Sequence, residues 1–241
     1  MDNFLIEARQ KIIDFMQNEY KGEDIRFCSA YLFGSSKYIE KHRELADLFN
    51  SLAIVERPNI IYIRTDTDLY INGINIKELT DKLHLAAFFG GDVKSIEQSD
   101  DLTVVISENL SFFMSMKPNN AVFLYNKGFH LTKQVATFIK RLSYKKVVFF
   151  GDLDCDGLSI YASLKKLLEG LEFYPSEAIA REIYTGFSSV LPEISKSECD
   201  SKRIEKNELY RLLIDAGKRI EQEFLQVLFA RGKLEKPKWI G

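Results

Sequence analysis

The segment Val147-Val-Phe-Phe-Gly-Asp-Leu-Asp-Cys-Asp-Gly157 constrains this chain more than any other. Its apolar run, Lys146–Phe150, has the length and composition of a buried strand. The run leads straight into Asp152, Asp154 and Asp156, then Gly157. A helical pattern follows over Leu158–Leu168, with Ile160, Leu164, Leu167 and Leu168 on one face. Strand, acidic turn and helix in that order predict an α/β domain with a largely parallel sheet. Such sheets take their ligands at the carboxyl ends of strands, where these acids fall. Side chains repeat every two residues along extended chain, so alternate acids can point the same way. Carboxylates this close repel one another unless a cation offsets them. Their hard oxygens suit Mg²⁺ or Mn²⁺.

Glu108 has the same setting, because it follows the strand pattern Leu102–Ser107. If the two strands are neighbours, Glu108 converges with Asp152 and Asp154 on one sheet edge. Carboxylates holding one or two divalent ions are common apparatus for phosphodiester chemistry, and one of them can serve as general base. Simpler readings stand beside this one. An Asp in such a turn also caps helices, and a Glu at a strand end is usually only solvated. The pattern D-x-D-x-D-G opens a calcium-binding EF-hand loop, but its last ligand position would fall on Ser163, and a strand precedes it. A phosphatase of the haloacid dehalogenase type expects Thr or Val where Asp156 stands, which leaves a small metal-dependent phosphohydrolase as a weaker alternative. A phosphate-binding loop is excluded, because no G-x-x-x-x-G-K-S/T occurs.

The remaining chain supports the same class. Phe4, Leu5, Ala8, Ile12 and Phe15 predict a helix over residues 4–19, and Phe27–Phe33 reads as a short β-prone run. A second helix is expected over Lys37–Leu52, strands over Ile60–Arg64 and Asp68–Ile71, and a turn at Asn72-Gly73. Glu78–Phe89 reads as helix and Asp92–Asp101 as a polar connection, so a domain boundary is expected near residue 98, giving domains 1–98 and 99–241. Further along, Ala121–Tyr125 is a strand pattern, Leu131–Leu142 is helical, and Arg203–Arg231 reads as one or two amphipathic helices. No apolar run approaches the about 20 residues of a membrane helix, and the acidic N-terminus does not read as a signal peptide. Cys28, Cys155 and Cys199 are odd in number and widely spaced, so they read as reduced thiols of a cytoplasmic protein rather than a disulfide frame or zinc site.

Charge limits the partners. With 33 Lys and Arg against 35 Asp and Glu, the net charge is −2, so a polyanion must be met by a local basic patch. Residues 117–146 hold Lys117, Lys127, Lys133, Lys140, Arg141, Lys145 and Lys146 and no acid. Phosphate neutralisation supplies most nucleic-acid affinity, so Lys127 and Lys133 are candidate DNA contacts, as are Lys37, Lys41 and Arg43 on the second helix. A solvated helix end is the plainer role for these residues. His42 more often packs or caps. Glu221 and Glu223, two apart on a predicted helix, do not share a face, so at most one reaches the site. Glu223 is the possible auxiliary acid, though pairing with Arg219 is the plainer role.

A strand ending in Glu followed by a strand ending in D-x-D-x-D-G resembles the Toprim domain of topoisomerases, primases and several nucleases. Phe33-Gly-Ser-Ser-Lys-Tyr-Ile-Glu-Lys-His-Arg43 is similar to the D-T-K-F-I-E-R-H segment of the nuclease subunit of Wadjet plasmid-defence systems (JetD, also called MksG). Thr103–Leu110 is similar to that family's strand ending in V-E-N-K, Phe149–Gly157 to its Y-W-G-D-I-D-T-H-G, and Arg219–Phe224 to its terminal R-L-E-Q-E-R. The four segments occur in family order across residues 33–224. The resemblance implies a Toprim catalytic domain over 99–241, a mostly parallel sheet flanked by helices, behind a small α+β winged-helix-like domain. It implies a cytoplasmic, divalent-metal-dependent DNA endonuclease related to the A subunit of topoisomerase VI. Glu108, Asp152 and Asp154 then hold Mg²⁺ or Mn²⁺, with Asp156 assisting a second ion. The family dimerises and acts on double-stranded DNA with an SMC-type ATPase complex. Neither Tyr31 nor Tyr38 matches the topoisomerase nucleophile motif, so hydrolysis is expected rather than strand transfer. A Toprim fold kept only for DNA binding or dimerisation is the alternative. Asp156 replaces the family's His, Ser35 replaces its Asp, and only residues 1–32 precede the first matching segment, so a form without the usual N-terminal arm is expected.

Overall fold

A computed structural model describes residues 3–53, 60–99, 101–126, 133–200, 202 and 204–241. Two compact units divide between Pro58 and Asn59. Among its described residues the first is helical: α1 (Asn3–Asn18), α2 (Ile25–Phe33), α3 (Tyr38–Lys41) and α4 (Arg43–Leu52). Ala8, Ile12, Phe15, Ile25, Cys28, Ile39, Leu45 and Phe49 form its core. The run 27–33 is helix rather than strand. The Asp24 carboxylate accepts from the N–H groups of Arg26 and Phe27, and Gly34 closes the helix at φ 69°. These caps outweigh the β preference of Phe27 and Tyr31, which lie exposed at helical spacing. The single helix expected over 37–52 is broken at His42, whose backbone is extended (φ −110°, ψ 99°). Buried Ser29 sets that corner, its Oγ donating to the Ser35 carbonyl and accepting from the Ile39 N–H.

The second unit carries the sheets. In chain order it holds β1 (Ile60–Thr65), β2 (Leu69–Ile71), β3 (Ile74–Asn75), α5 (Ile76–Leu83), β4 (Ala86–Phe89), β5 (Ile96–Gln98), β6 (Leu102–Ser107), α6 (Leu110–Ser115), β7 (Ala121–Tyr125), α7 (Lys133–Arg141), β8 (Tyr144–Phe150), α8 (Cys155–Lys165), β9 (Leu171–Tyr174), α9 (Glu177–Phe187), α10 (Lys196–Asp200), α11 (Glu208–Ala216) and α12 (Gln222–Ala230). Six strands form the main sheet in the order β4-β1-β7-β6-β8-β9, and β3-β2-β5 form a small one. Neighbours from β7 through β9 run parallel, while β1 is antiparallel to β4 and β7. The class read from the sequence therefore holds: a mixed α/β fold with a mostly parallel sheet flanked by helices. Every residue of central β6 is buried, as a strand covered on both faces requires.

The expected boundary near 98 differs from the observed division because β1 pairs with β7 inside the main sheet. Residues 92–98 are also tied into the larger unit. Arg141 donates to the carbonyls of Val93 and Lys94, and Gln98 exchanges two bonds with the Ser143 backbone. The helix expected over 78–89 ends at Leu83, where His84 turns left-handed at φ 68°, and the apolar run after it is edge strand β4. Leu131, the expected start of α7, and Arg203, the expected start of the tail helices, lie outside the described residues.

Alternation along β8 sends Phe149 and Phe150 to opposite faces. Phe149 packs edge-on against Phe173, which meets Tyr161 of α8. Phe150 stacks on Phe112 of α6 at 3.9 Å and on Tyr174 at 5.3 Å, and Trp239 stands edge-on to Phe123, Phe150 and Tyr174. The strand that delivers the acids is thus anchored by aromatics on both sides.

Beyond Gly151 the chain turns tightly into α8. A Cβ at Gly157 would sit 2.0 Å from the Asp152 carbonyl oxygen, so only glycine lets the first turn of α8 approach the acidic loop. Cys155 in this turn is joined to Cys199 of α10 as a disulfide, which corrects the reduced-thiol reading for two of the three cysteines. The partners are 44 residues apart in sequence, and only the packing of α10 against α8 brings their Cα atoms to 5.0 Å.

Gly157→Ala should lower stability by about 2 kcal/mol or more through overpacking, whereas Gly186→Ala, with open space in α9, should raise it by up to about 1 kcal/mol; urea unfolding of both variants checks this. Reducing the disulfide should cost up to about 4 kcal/mol, the loop-closure value for its span, and thiol titration of the denatured, unreduced protein should find one reactive thiol, Cys28.

Candidate active site

Parallel pairing of β6 and β8 sets Ser107 opposite Phe150. The chain therefore leaves both strands at one sheet edge, with Glu108 on one and Gly151-Asp152 on the other. Asp152, Asp154 and Asp156 are half-buried, while Leu153 and Cys155 between them are buried. Leu153 is held by a two-bond antiparallel bridge to Ile220, which lays the start of α12 beside the acids.

Each acid has defined partners. Burial, reinforced by the charge of Asp152, pushes Glu108 up to about 7, against a bond from the Asp152 backbone N–H; the charge of Asp154 adds to the rise. Asp152 is pushed up to about 6, chiefly by burial and further by Asp154, Glu223 and Glu221. Opposing that rise, the Gln222 N–H donates to Asp152 Oδ1 at 2.8 Å. Asp154 caps α8, its Oδ1 accepting from the Gly157 N–H at 2.7 Å. Asp156 is ion-paired with Lys202. The structure thus brings together Glu108, Asp152 and Asp154, and gives Asp156 a cationic partner from the segment after α10.

The C-terminal acids behave differently from the helical-face expectation. Glu221 is the residue before α12 rather than inside it, so the rule of helical faces does not govern the pair. Both Glu221 and Glu223 act on Asp152. Arg219 pairs with Glu221 at 2.8 Å, not with Glu223. Glu223 accepts from the Asn109 side chain, which also caps α6. Ser107, Asn109 and Gln222 were not among the candidates read from sequence. Their only signal there was membership of the segments Thr103–Leu110 and Arg219–Phe224.

Of the candidate DNA contacts, Lys37 and Lys41 bracket the single turn of α3, and Arg43 opens α4 and pairs with Asp47 at 3.8 Å. His42 packs its ring against Tyr38 at 4.9 Å. These residues all belong to the unit of residues 1–58. Lys133 is the first residue of α7, and Lys127 lies outside the described residues. Within the basic stretch, Arg141 is committed to backbone carbonyls and Lys146 to Glu172 at 2.7 Å.

Among the described residues, no three His, Cys, Asp or Glu side chains are gathered into a ready metal cage. The donor chemistry nonetheless fits a hard divalent cation. Glu108, Asp152 and Asp154 offer only carboxylate oxygens, and burial, with neighbouring carboxylates adding to it, raises the first two well above the usual carboxylate range. Among the described residues, no helix is long and apolar enough to cross a membrane.

No curated protein matches this chain. A family model described as Wadjet protein JetD, C-terminal, matches residues 92–234. That span takes in every strand from β5 to β9, both acid-bearing strand ends and all of α12, so the chain belongs to the JetD C-terminal family.

Proposed function

We propose that this chain is a Toprim-type, divalent-metal-dependent DNA endonuclease and the nuclease component of a Wadjet-like plasmid-defence system. The observation that carries the reading is the parallel pairing of β6 and β8, which puts Glu108 within a hydrogen bond of the Asp152 backbone. Glu108, Asp152 and Asp154 would hold Mg²⁺ or Mn²⁺. A bound ion supplies Lewis-acid stabilisation of the leaving oxygen and acidifies a water for attack on the phosphodiester. The protein's own groups orient that site: the Gln222 N–H holds Asp152, and Asp154 is fixed at the head of α8. On this reading Glu223, whose charge acts on Asp152, would take a proton from the attacking water. Family membership further supports double-stranded DNA as substrate, a homodimer, an SMC-type ATPase complex as partner, and a cytoplasmic site of action. The absence of a ready metal cage among the described residues favours the second reading, a DNA-binding or dimerisation module without catalysis.

Cleavage of supercoiled plasmid decides between them. The protein with Mg²⁺ or Mn²⁺ should convert it to nicked or linear DNA, EDTA should abolish this, and Asp152→Asn should reduce the rate at least ~100-fold. Retardation of DNA in a gel without cleavage under either metal would favour the binding module.

The burial of Glu108 and Asp152 also predicts a pH dependence. Glu108 and Asp152 titrate from 4.5 and 3.8 in the unfolded chain to about 7 and about 6 when folded. The folded protein therefore binds more protons across that interval. The resulting stability is full below about pH 4 and is lost as pH rises to about 7. In EDTA, unfolding free energy should fall by on the order of 2 kcal/mol between pH 5 and 7. Glu108→Gln should flatten that slope, and millimolar Mg²⁺ should restore the stability at pH 7; thermal melts across the range measure both.

A further inference from the structure

Gln222 occupies an unusual position for a polar side chain. It is 0% exposed, in the first turn of α12, and makes contacts to both acid-bearing strand ends. Its backbone N–H donates to Asp152 Oδ1 at 2.8 Å. That N–H is one of the groups a helix leaves without an internal partner at its N-terminus, and the helix dipole there favours an anion. Its side-chain amide meets Ser107 Oγ at 3.1 Å, one residue before Glu108. Ser107 has one hydroxyl proton for two acceptors, Gln222 Oε1 and the Asn109 carbonyl. Turning the amide so that Nε2 faces Ser107 lets both contacts be satisfied, so either orientation keeps the tie.

We propose that Gln222 is a positioning residue for the acid site, holding the Asp152 carboxylate through its backbone and the end of β6 beside Glu108 through its side chain. This inference rests on the metal-dependent nuclease reading. A partner that fixes a metal-binding carboxylate sets its affinity for the ion, and losing such a partner typically costs 10–100-fold. The two contacts of Gln222 are separable by mutation. Gln222→Ala removes the side-chain tie alone. Gln222→Pro also removes the N–H and puts the ring Cδ where Asp152 Oδ1 is now bonded, so that carboxylate must turn away; the backbone accepts the ring, because Pro suits the first helical position and Glu221 before it is already extended (φ −82°, ψ 147°).

The test is Mn²⁺ binding by the full chain, read from the electron paramagnetic resonance signal of unbound Mn²⁺, beside plasmid cleavage against Mn²⁺ concentration. Gln222→Ala should weaken Mn²⁺ binding about 10-fold. Gln222→Pro should weaken it about 10-fold more while melting within a few degrees of Gln222→Ala, and at saturating Mn²⁺ the KM for DNA should stay unchanged in both. If Gln222→Pro does not fold, Ser107→Ala decides. It should weaken Mn²⁺ binding as Gln222→Ala does, and the double variant should be no weaker than either single one. Wild-type affinity in Gln222→Ala and Gln222→Pro, or in Ser107→Ala, overturns the inference and leaves the nuclease reading standing. A wild-type chain that binds no Mn²⁺ and cuts no DNA overturns the nuclease reading and this inference with it.

Discussion

Glu108 and Asp152 stand half-buried on the ends of adjacent parallel strands, where burial raises both, Asp152 adds to the rise of Glu108, and Asp154, Glu223 and Glu221 add to that of Asp152. Two carboxylates placed this way destabilise a fold at neutral pH unless something compensates them. The neighbouring structure does so with oriented N–H groups. The Asp152 backbone bonds Glu108, the Gln222 backbone bonds Asp152, and the Gly157 backbone bonds Asp154. The first comes from the loop that leaves β8, and the other two from the first turns of α12 and α8. The geometry of that edge is therefore set by backbone donors, which hold an anion without bringing a full positive charge of their own.

Holding backbone donors in register demands a rigid support, and the packing beneath the edge supplies it. Phe150 lies two residues before Asp152 and is fully buried between Phe112, Tyr174 and Trp239. Trp239 is fixed in turn: its carbonyl accepts from the Asn119 N–H, and Gly241 bonds the Lys117 carbonyl. The last residues of the chain therefore close the face under β8, while α12 closes the edge above it through the Leu153–Ile220 bridge. Gly157 completes the support from the α8 side, because any side chain there would push the Asp152 carbonyl away.

Much of this was legible in the sequence, and the misses have physical causes. β6, β7 and β8 are apolar on both faces, which marks strands of a covered parallel sheet, and Asn72-Gly73 forms its turn with both φ angles positive. Residues 78–89 misled because the apolar run Leu85–Phe89 continues a helical pattern, while the left-handed turn at His84 that ends the helix has no side-chain signature. β9 has only four residues and follows Gly170 with no turn cluster to announce it. Among the site residues, Glu108, Asp152 and Asp154 were readable because they end apolar strands. Gln222 was not, because its contact with Asp152 is a backbone N–H across 70 residues and its contact with Ser107 spans 115. Cys155 and Cys199 were misread for the same reason, since spacing along the chain says nothing of the α8–α10 contact.

Counting charges in the sequence also overstates what a polyanion would meet. Of the seven basic residues in 117–146, Arg141 is committed to carbonyls of the β5 approach and Lys146 to Glu172. The acid edge adds Glu221 and Glu223 to Glu108, Asp152 and Asp154, so its own field repels phosphate. On the nuclease reading a divalent ion has two separate effects there. It offsets part of the carboxylate charge, and it gives the scissile phosphate a local cationic contact on an otherwise acidic edge. Metal and DNA are then thermodynamically linked: each raises the affinity for the other by the same factor. A binding module without catalysis has no such requirement, because its DNA contacts would lie on lysines and arginines away from this edge and would weaken with salt whether or not metal is present.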